Sequence, residues 1–268
     1  MTFQEGLLRL LSLRLLGDVG QRLLRGRLWT IERGEGAGLK VVYPQNHDYI
    51  LGSSERPVQN ALATQLHSGD VFYDVGANVG FFSIVAARLV GSEGYVYSFE
   101  PVEENITSIR ENAKVNKLEN MKSFEVAVGR MSGNEDLLLT EWNGGASLST
   151  SVVKPAVPAS TRNVRVVALD DFIQAHNLRA PTLVKIDVEG SELDVVQGMS
   201  RTIATSRPIL LYEIDDGNKK AFSSRWQELD QLVAGFGYRI LHLEESYPTL
   251  KWNVGHSLAV PVESPDAG

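Results

Sequence analysis

The apolar pattern along the chain changes period several times, and the sharpest change lies between Val71 and Glu100. Val71, Phe72, Tyr73 and Val75 form a continuous apolar run, as in a strand covered on both faces of a parallel sheet. Gly76 and Gly80 interrupt it. Phe82, Ile84, Val85, Ala86 and Leu89 then recur at helical spacing, and residues 95–99 predict the next strand, closed by Glu100. Upstream, 28–31 and 39–43 predict a β-hairpin around a mobile glycine-rich loop, 32–38, and Pro57 opens a helix to Leu66. Downstream, the pattern predicts a helix from Pro101 and Asn105 through Asn116, a third strand over 124–128 and a short strand over 137–140. The small, polar residues 143–150 and 154–160 read as a long loop. A strand over 164–168 and a helix over 169–176 follow. A buried-type strand, 182–186, precedes a helix with Leu193, Val195, Val196 and Met199 on one face. The remainder reads as a strand at 209–214, a helix at 226–236 and strands at 238–243 and 253–260.

Strands alternating with helices imply right-handed crossovers and a mainly parallel sheet with helices on both faces. The last two strands have no room for a helix between them and should pair antiparallel. The expected fold is therefore α/β and Rossmann-like: a seven-stranded, mainly parallel sheet with an antiparallel edge hairpin, the architecture of class I methyltransferases. Its organisation is residues 1–50 as N-terminal amphipathic helices and hairpin, 51–262 as the catalytic domain, and 263–268 as a tail. Ligand sites in such sheets lie beyond the strand carboxyl ends, where Asp74, Glu100, Asp187 and Glu213 fall.

The glycine turn selects the nucleotide. A dinucleotide fingerprint wants three glycines so that a pyrophosphate can rest on the helix N-terminus. Here the pattern is Asp74-x-Gly76-x-Asn78-x-Gly80. An acid before the first glycine repels phosphate and suits a cation, which points to S-adenosylmethionine (SAM), with its ammonium and sulfonium. Glu100 stands about 20 residues past the turn, the spacing of an acid that meets ribose hydroxyls. The expected cofactor shell is Asp74 at the methionine end, Gly76, Ala77, Asn78, Gly80 and Phe81 in the turn, and Glu100, Pro101 and Asn105 at the ribose. Ala127 and Val128 should face the adenine.

Composition narrows the partners. The chain has 268 residues, no cysteine and a net charge of −7, which argues against a nucleic-acid groove and excludes disulfides and thiolate zinc sites. A reducing, cytoplasmic setting fits. In residues 1–28 five arginines and a run of leucines stand against Glu5 and Asp18. This segment lacks signal-peptide features and is broken by Arg9 and Arg14 before it could span a bilayer. It is expected to pack on the domain or a second copy, giving a homo-oligomer, or to contact an anionic membrane surface peripherally.

Five segments together resemble the FkbM family of SAM-dependent methyltransferases: DVGANVGFF at 74–82, FEP at 99–101, NGGASL at 143–148, VKIDVEGSE at 184–192 and YEI at 212–214. The resemblance covers roughly 55–260 and implies O-methylation of a hydroxyl on a small-molecule or glycan acceptor: a sugar, glycolipid or secondary metabolite. Methyl transfer requires placement of an oxygen opposite the leaving sulfur and removal of its proton. Asp187, Glu189 and Glu213 are the expected catalytic carboxylates, with Glu192 either joining them or serving its helix's first turn. Asp187 and Glu213, ending adjacent strands, could instead share Mg2+ or Mn2+. His47 and His256 are weighed as bases, His176 and His242 as fillers, and Ser147 and Ser149 as loop contacts to cofactor or acceptor. The competing functions are a NAD-dependent oxidoreductase and a SAM-binding accessory subunit.

Overall fold

In a computed structural model of the chain, residues 26–42, 47–140, 146–153, 158–247 and 252–262 are described. The amphipathic helices expected before residue 26 and the tail at 263–268 lie outside them. The main sheet has seven strands: β3 (Val71–Val75), β4 (Tyr95–Glu100), β5 (Met121–Glu125), β10 (Leu183–Ile186), β11 (Ile209–Asp216), β12 (Tyr238–His242) and β13 (Asn253–Pro261). Their order is β12-β13-β11-β10-β3-β4-β5. β11, β10, β3, β4 and β5 run parallel, while β13 is antiparallel to both β11 and β12. The fold is thus the expected Rossmann-like one.

Alternate residues of a strand face opposite sides, and β3 shows both cores. Phe72 packs on one side with Val58, Leu62, Ile84 and Val85, from α2 (Arg56–Gln65) and α3 (Phe81–Val90). Val71, Tyr73 and Val75 pack on the other with Phe172 of α5 (Leu169–His176), Val196 of α6 (Glu192–Gly198), Ile203 of α7 (Ser200–Ser206) and Val233 of α8 (Lys219–Gly235). The crossover from β4 to β5 is α4 (Glu103–Val115), and the five-residue α1 spans His47–Leu51.

A second sheet, order β6-β9-β7-β8, departs from expectation. The anticipated strand over 124–128 is two strands. β5 ends at Glu125, the chain crosses over at Val126, and β6 (Ala127–Val128) pairs with β9 (Ser160–Val167) instead. β7 (Gly133–Leu139) pairs antiparallel with β9 and with β8 (Ala146–Leu148), so the expected loop contains a strand. The first half of β7, Gly-Asn-Glu-Asp, is polar and largely exposed, which hid it from an apolar pattern. α8 likewise begins seven residues earlier than its apolar face, because the Asn218 side chain accepts hydrogen bonds from the Lys220 and Ala221 N–H groups and caps a polar first turn.

The hairpin β1 (Leu28–Thr30) and β2 (Lys40–Val42) pairs as expected. Its glycine-rich loop, expected to be mobile, is tied to the domain. Gly38 N–H donates to Ile31 O (2.9 Å), Glu35 N–H to Gln59 Oε1 (2.9 Å), and Arg88 to Ala37 O (2.8 Å).

Candidate active site

A cavity enclosing about 820 Å3, part of it open to solvent, lies at the carboxyl ends of β3, β4 and β10, and β7 and β8 contribute to its wall. Sequence dictates one side of it through the glycine turn. Gly76 has φ 80°, and a Cβ there would stand 1.7 Å from the Asp187 carbonyl oxygen, so only glycine lets the β3 and β10 turns abut. Gly76 and Ala77 N–H groups donate to Phe99 O at 3.0 and 3.1 Å. Asn78, standing where a dinucleotide fingerprint has glycine, adopts φ 50°, a left-handed conformation that asparagine tolerates.

That conformation aims the Asn78 N–H at Glu100 Oε2 (2.9 Å), while Val102 N–H (2.9 Å) and Asn105 Nδ2 (3.2 Å) donate to Oε1. Glu100 is buried, and burial pushes its carboxyl up to about 7 against these three donors. Phe81, Pro101, Ala127 and Val128 complete this side. Asp74 and Gly80 do not line the cavity. Asp74 is buried behind the turn, where its Oδ2 accepts from Ser83 Oγ (2.5 Å) and its Oδ1 has no hydrogen-bond partner. Burial pushes its carboxyl up against the pull of Lys185 and Ser83. Gly80 instead lets α3 approach α4, since a Cβ would meet Ile109 at 2.9 Å.

The opposite side is built from charge. Lys185, 3% exposed, points its Nζ at Asp187 Oδ2 (2.7 Å) and lies 5.0 Å from the centre of the Phe82 ring. Burial would lower its pKa, but Asp187, Asp74 and Glu55 outweigh that and hold it charged. Glu189 lines the cavity with φ 54°, a strained backbone for a residue with a Cβ. Burial, then Asp215, Asp187 and Glu213, push its carboxyl well up. Glu192 accepts from the Gly190 N–H (2.8 Å) and from Arg225 Nη2 (2.9 Å), and burial still raises it to about 7.

Glu213, expected to be catalytic, does not line the cavity: it follows Tyr212, the register partner of Ile186, and takes a different partner from Asp187, its Oε2 lying 2.6 Å from His256 Nε2. Burial and Asp187 push Glu213 up, while on His256 the Glu213 and Glu55 carboxylates overcome burial and push the imidazole up. The expected Asp187–Glu213 pair is therefore not where metal-ligating atoms converge. Among the described residues, that convergence is Glu55, Glu213 and His256.

The Methyltransferase FkbM domain model matches residues 74–240. The chain belongs to the FkbM methyltransferase family. The hexuronic acid methyltransferase AglP of Haloferax volcanii is 24% identical over 152 residues, 56% of this chain and 58% of that protein. The 2-O-methyltransferase NoeI of Sinorhizobium fredii is 27% identical over 207 residues, 71% and 79% of the two chains. The 31-O-demethyl-FK506 methyltransferase FkbM of Streptomyces tacrolimicus is 29% identical over 160 residues, 50% and 61%. The chain thus spans less than two thirds of two of these relatives. The crystal structure of methyltransferase FkbM from Methylobacillus flagellatus superposes with a TM-score of 0.51 at 18% identity, covering 75% of this chain and 50% of that one, a likeness of fold.

Several contributors to the site escaped the sequence reading. Tyr49 lines the cavity from α1 and stacks on Phe81 at 4.7 Å. Leu137, Ala146 and Leu148 line it from the second sheet. Lys185 carried a signal, a lone charge inside an apolar strand, whereas Glu55 in Ser-Ser-Glu-Arg-Pro looked like any turn residue. The other candidates lie elsewhere. His47 is half-buried on α1, His176 stacks on Phe172 (3.9 Å), and His242 pairs with Asp230 (2.7 Å). Ser147 is buried in β8 with its hydroxyl unpartnered, and Ser149 bonds Glu135 (3.2 Å).

Proposed function

We propose that the protein is a SAM-dependent O-methyltransferase acting on a hydroxyl of a sugar, glycolipid or secondary metabolite. The observation that carries this reading is one cavity lined on one side by the glycine turn and Glu100 and on the other by Asp187 and Glu189. The residues suit SAM. Glu100 offers carboxylate oxygens for ribose hydroxyls, the turn brings backbone close without a side chain, and the buried acid Asp74 lies behind it to favour positive charge. SAM supplies a methyl group on a positively charged sulfur, open to in-line attack by an oxygen.

The remaining work falls to the chain. Asp187 accepts the proton of the acceptor hydroxyl, and Lys185 holds its carboxylate in place for that role. Glu189, whose carboxyl burial pushes well up, is suited to donate a hydrogen bond to a second acceptor oxygen. The Lys185 contact favours this base reading over a cation shared by Asp187 and Glu213. AglP, NoeI and the FK506 enzyme carry hydroxyl- and sugar-directed names, which supports the acceptor class.

The test is thermal melting with SAM and with NAD, followed by turnover of labelled SAM against glycoside and polyol acceptors. Stabilisation by SAM, with S-adenosylhomocysteine formed only when acceptor is present, is expected. Stabilisation by NAD alone would replace the reading with a dinucleotide enzyme.

A further inference from the structure

Glu55, Glu213 and His256 come from distant parts of the chain: the residue before α2, strand β11, and its antiparallel neighbour β13, where His256 stands directly across from Glu213. His256 Nε2 lies 2.6 Å from Glu213 Oε2 and 3.4 Å from Glu55 Oε2. One ligand atom from each of the three lies within 4.8 Å of the others. Their side chains are 2%, 15% and 9% exposed, for His256, Glu213 and Glu55 respectively.

The buried atoms are not satisfied by one another. Neither His256 Nε2 nor Glu55 Oε2 is satisfied by a hydrogen bond, and the 2.6 Å approach of Nε2 to Glu213 is a charge contact. A buried nitrogen and a buried carboxylate oxygen left without hydrogen bonds are costly unless a further group completes them.

Outer atoms are held as those of metal ligands commonly are. Ser246 Oγ lies 3.3 Å from His256 Nδ1, and the Tyr247 hydroxyl donates to Glu55 Oε1 at 3.1 Å. Nδ1 faces Ser246, so Nε2 is the ring nitrogen turned toward both acids, where a bound cation would take the place of its proton. Glu55 is fixed in a left-handed conformation, φ 42° and ψ 56°, that a residue with a Cβ rarely adopts. Its backbone is thus held in a position that brings its carboxylate to the other two.

We propose that Glu55, Glu213 and His256 bind a divalent first-row cation, Mn2+ or Zn2+, beside the acceptor side of the cavity. Two carboxylates balance the charge of such an ion, and one imidazole shifts preference from Mg2+ toward these metals. The place is adjacent to the chemistry. The charges of Glu55 and Glu213 act on the Tyr49 hydroxyl together with those of Lys185 and Asp187, and Tyr49 lines the cavity. Three protein ligands leave positions for the oxygens of a vicinal diol, so the ion would orient one hydroxyl and acidify the other. That purpose, though not the existence of the site, rests on the methyl-transfer reading.

The experiment uses the full chain, stripped with chelator and dialysed, titrated with MnCl2 and followed by loss of the free-ion electron paramagnetic resonance signal. ZnCl2 is the competitor. One saturable site per chain is expected, with Glu55→Gln and His256→Gln each weakening it by roughly tenfold or more while the melting shift produced by SAM persists. Should His256→Gln not fold, Glu55→Gln decides alone. Absence of saturable Mn2+ and Zn2+ binding at millimolar concentration, or binding that Glu55→Gln leaves unchanged, overturns the proposal. Metal binding without SAM stabilisation would leave this site standing and remove the methyltransferase reading; SAM stabilisation without metal binding would do the reverse.

Discussion

The two sides of the cavity hold their acids by different means. Glu100 is fixed by backbone N–H groups of Asn78 and Val102 and by one neutral side chain, all within a few residues of the β3 and β4 ends. Asp187 and Glu192 are fixed by cations, Lys185 and Arg225, and Glu213 by His256. Neutral dipoles leave Glu100 ready to exchange its partners for ribose hydroxyls. Cations commit the opposite acids to charge chemistry.

The sharpest way to break this comparison is to remove the base. Asp187→Asn should cut kcat by roughly 10²–10⁴-fold, the range of a lost general base, with SAM affinity by calorimetry nearly unchanged. If affinity falls in parallel, the two sides are not separate. Next in size is Arg225→Ala, which leaves Glu192 buried without its cation and should destabilise the fold by about 3 kcal/mol near pH 8. Because Glu192 titrates at about 7, it is neutral at pH 5.5 and the loss there should be smaller; melting curves at both pH values decide it.

Glu100→Ala should weaken SAM binding by roughly tenfold or more, since each charged hydrogen bond contributes about 1.5–3 kcal/mol. Its pH dependence sharpens the contrast. Folding raises this carboxyl from its ordinary 4.5 to about 7. The folded state therefore binds the proton more tightly, and this group's contribution to stability declines as pH rises from 4.5 through 7. Ribose hydroxyls favour the ionised form, so SAM affinity should rise with pH up to about 7 and then level off, with proton release on binding below that. The smallest effect belongs to Arg162, whose guanidinium forks onto Glu104 at 2.8 and 2.9 Å on an exposed surface. Arg162→Ala should cost under about 1 kcal/mol and leave turnover unchanged.

The same contrast explains what was legible in the sequence. The Glu100 side is local: strand, turn, helix, strand and acid follow in order, and each declares itself by spacing. Nine of the eleven residues assigned to the cofactor line the cavity, while Asp74 and Gly80 stand behind it. The acid side is assembled across the fold. Glu213 meets His256 because β13 returns beside β11, Glu55 joins them from the residue before α2, and no short-range pattern encodes that meeting. Arg225 was hidden differently, in the polar early turns of α8, before the apolar face that marked the helix. The second sheet was obscured by its short, half-exposed strands.

That second sheet gives the cavity a wall with a core of its own. Its small core, Val102, Ala127, Leu137, Leu148, Val164 and Val166, is distinct from the two cores that grip the main sheet. Ala146 and Leu148, which line the cavity, sit on β8, a three-residue strand at that sheet's outer edge. A substitution there would alter the shape of the cavity wall without touching the turn that holds Glu100 or the strand ends that carry Asp187. The wall can therefore vary one edge residue at a time while the strand ends and glycine turn opposite stay fixed.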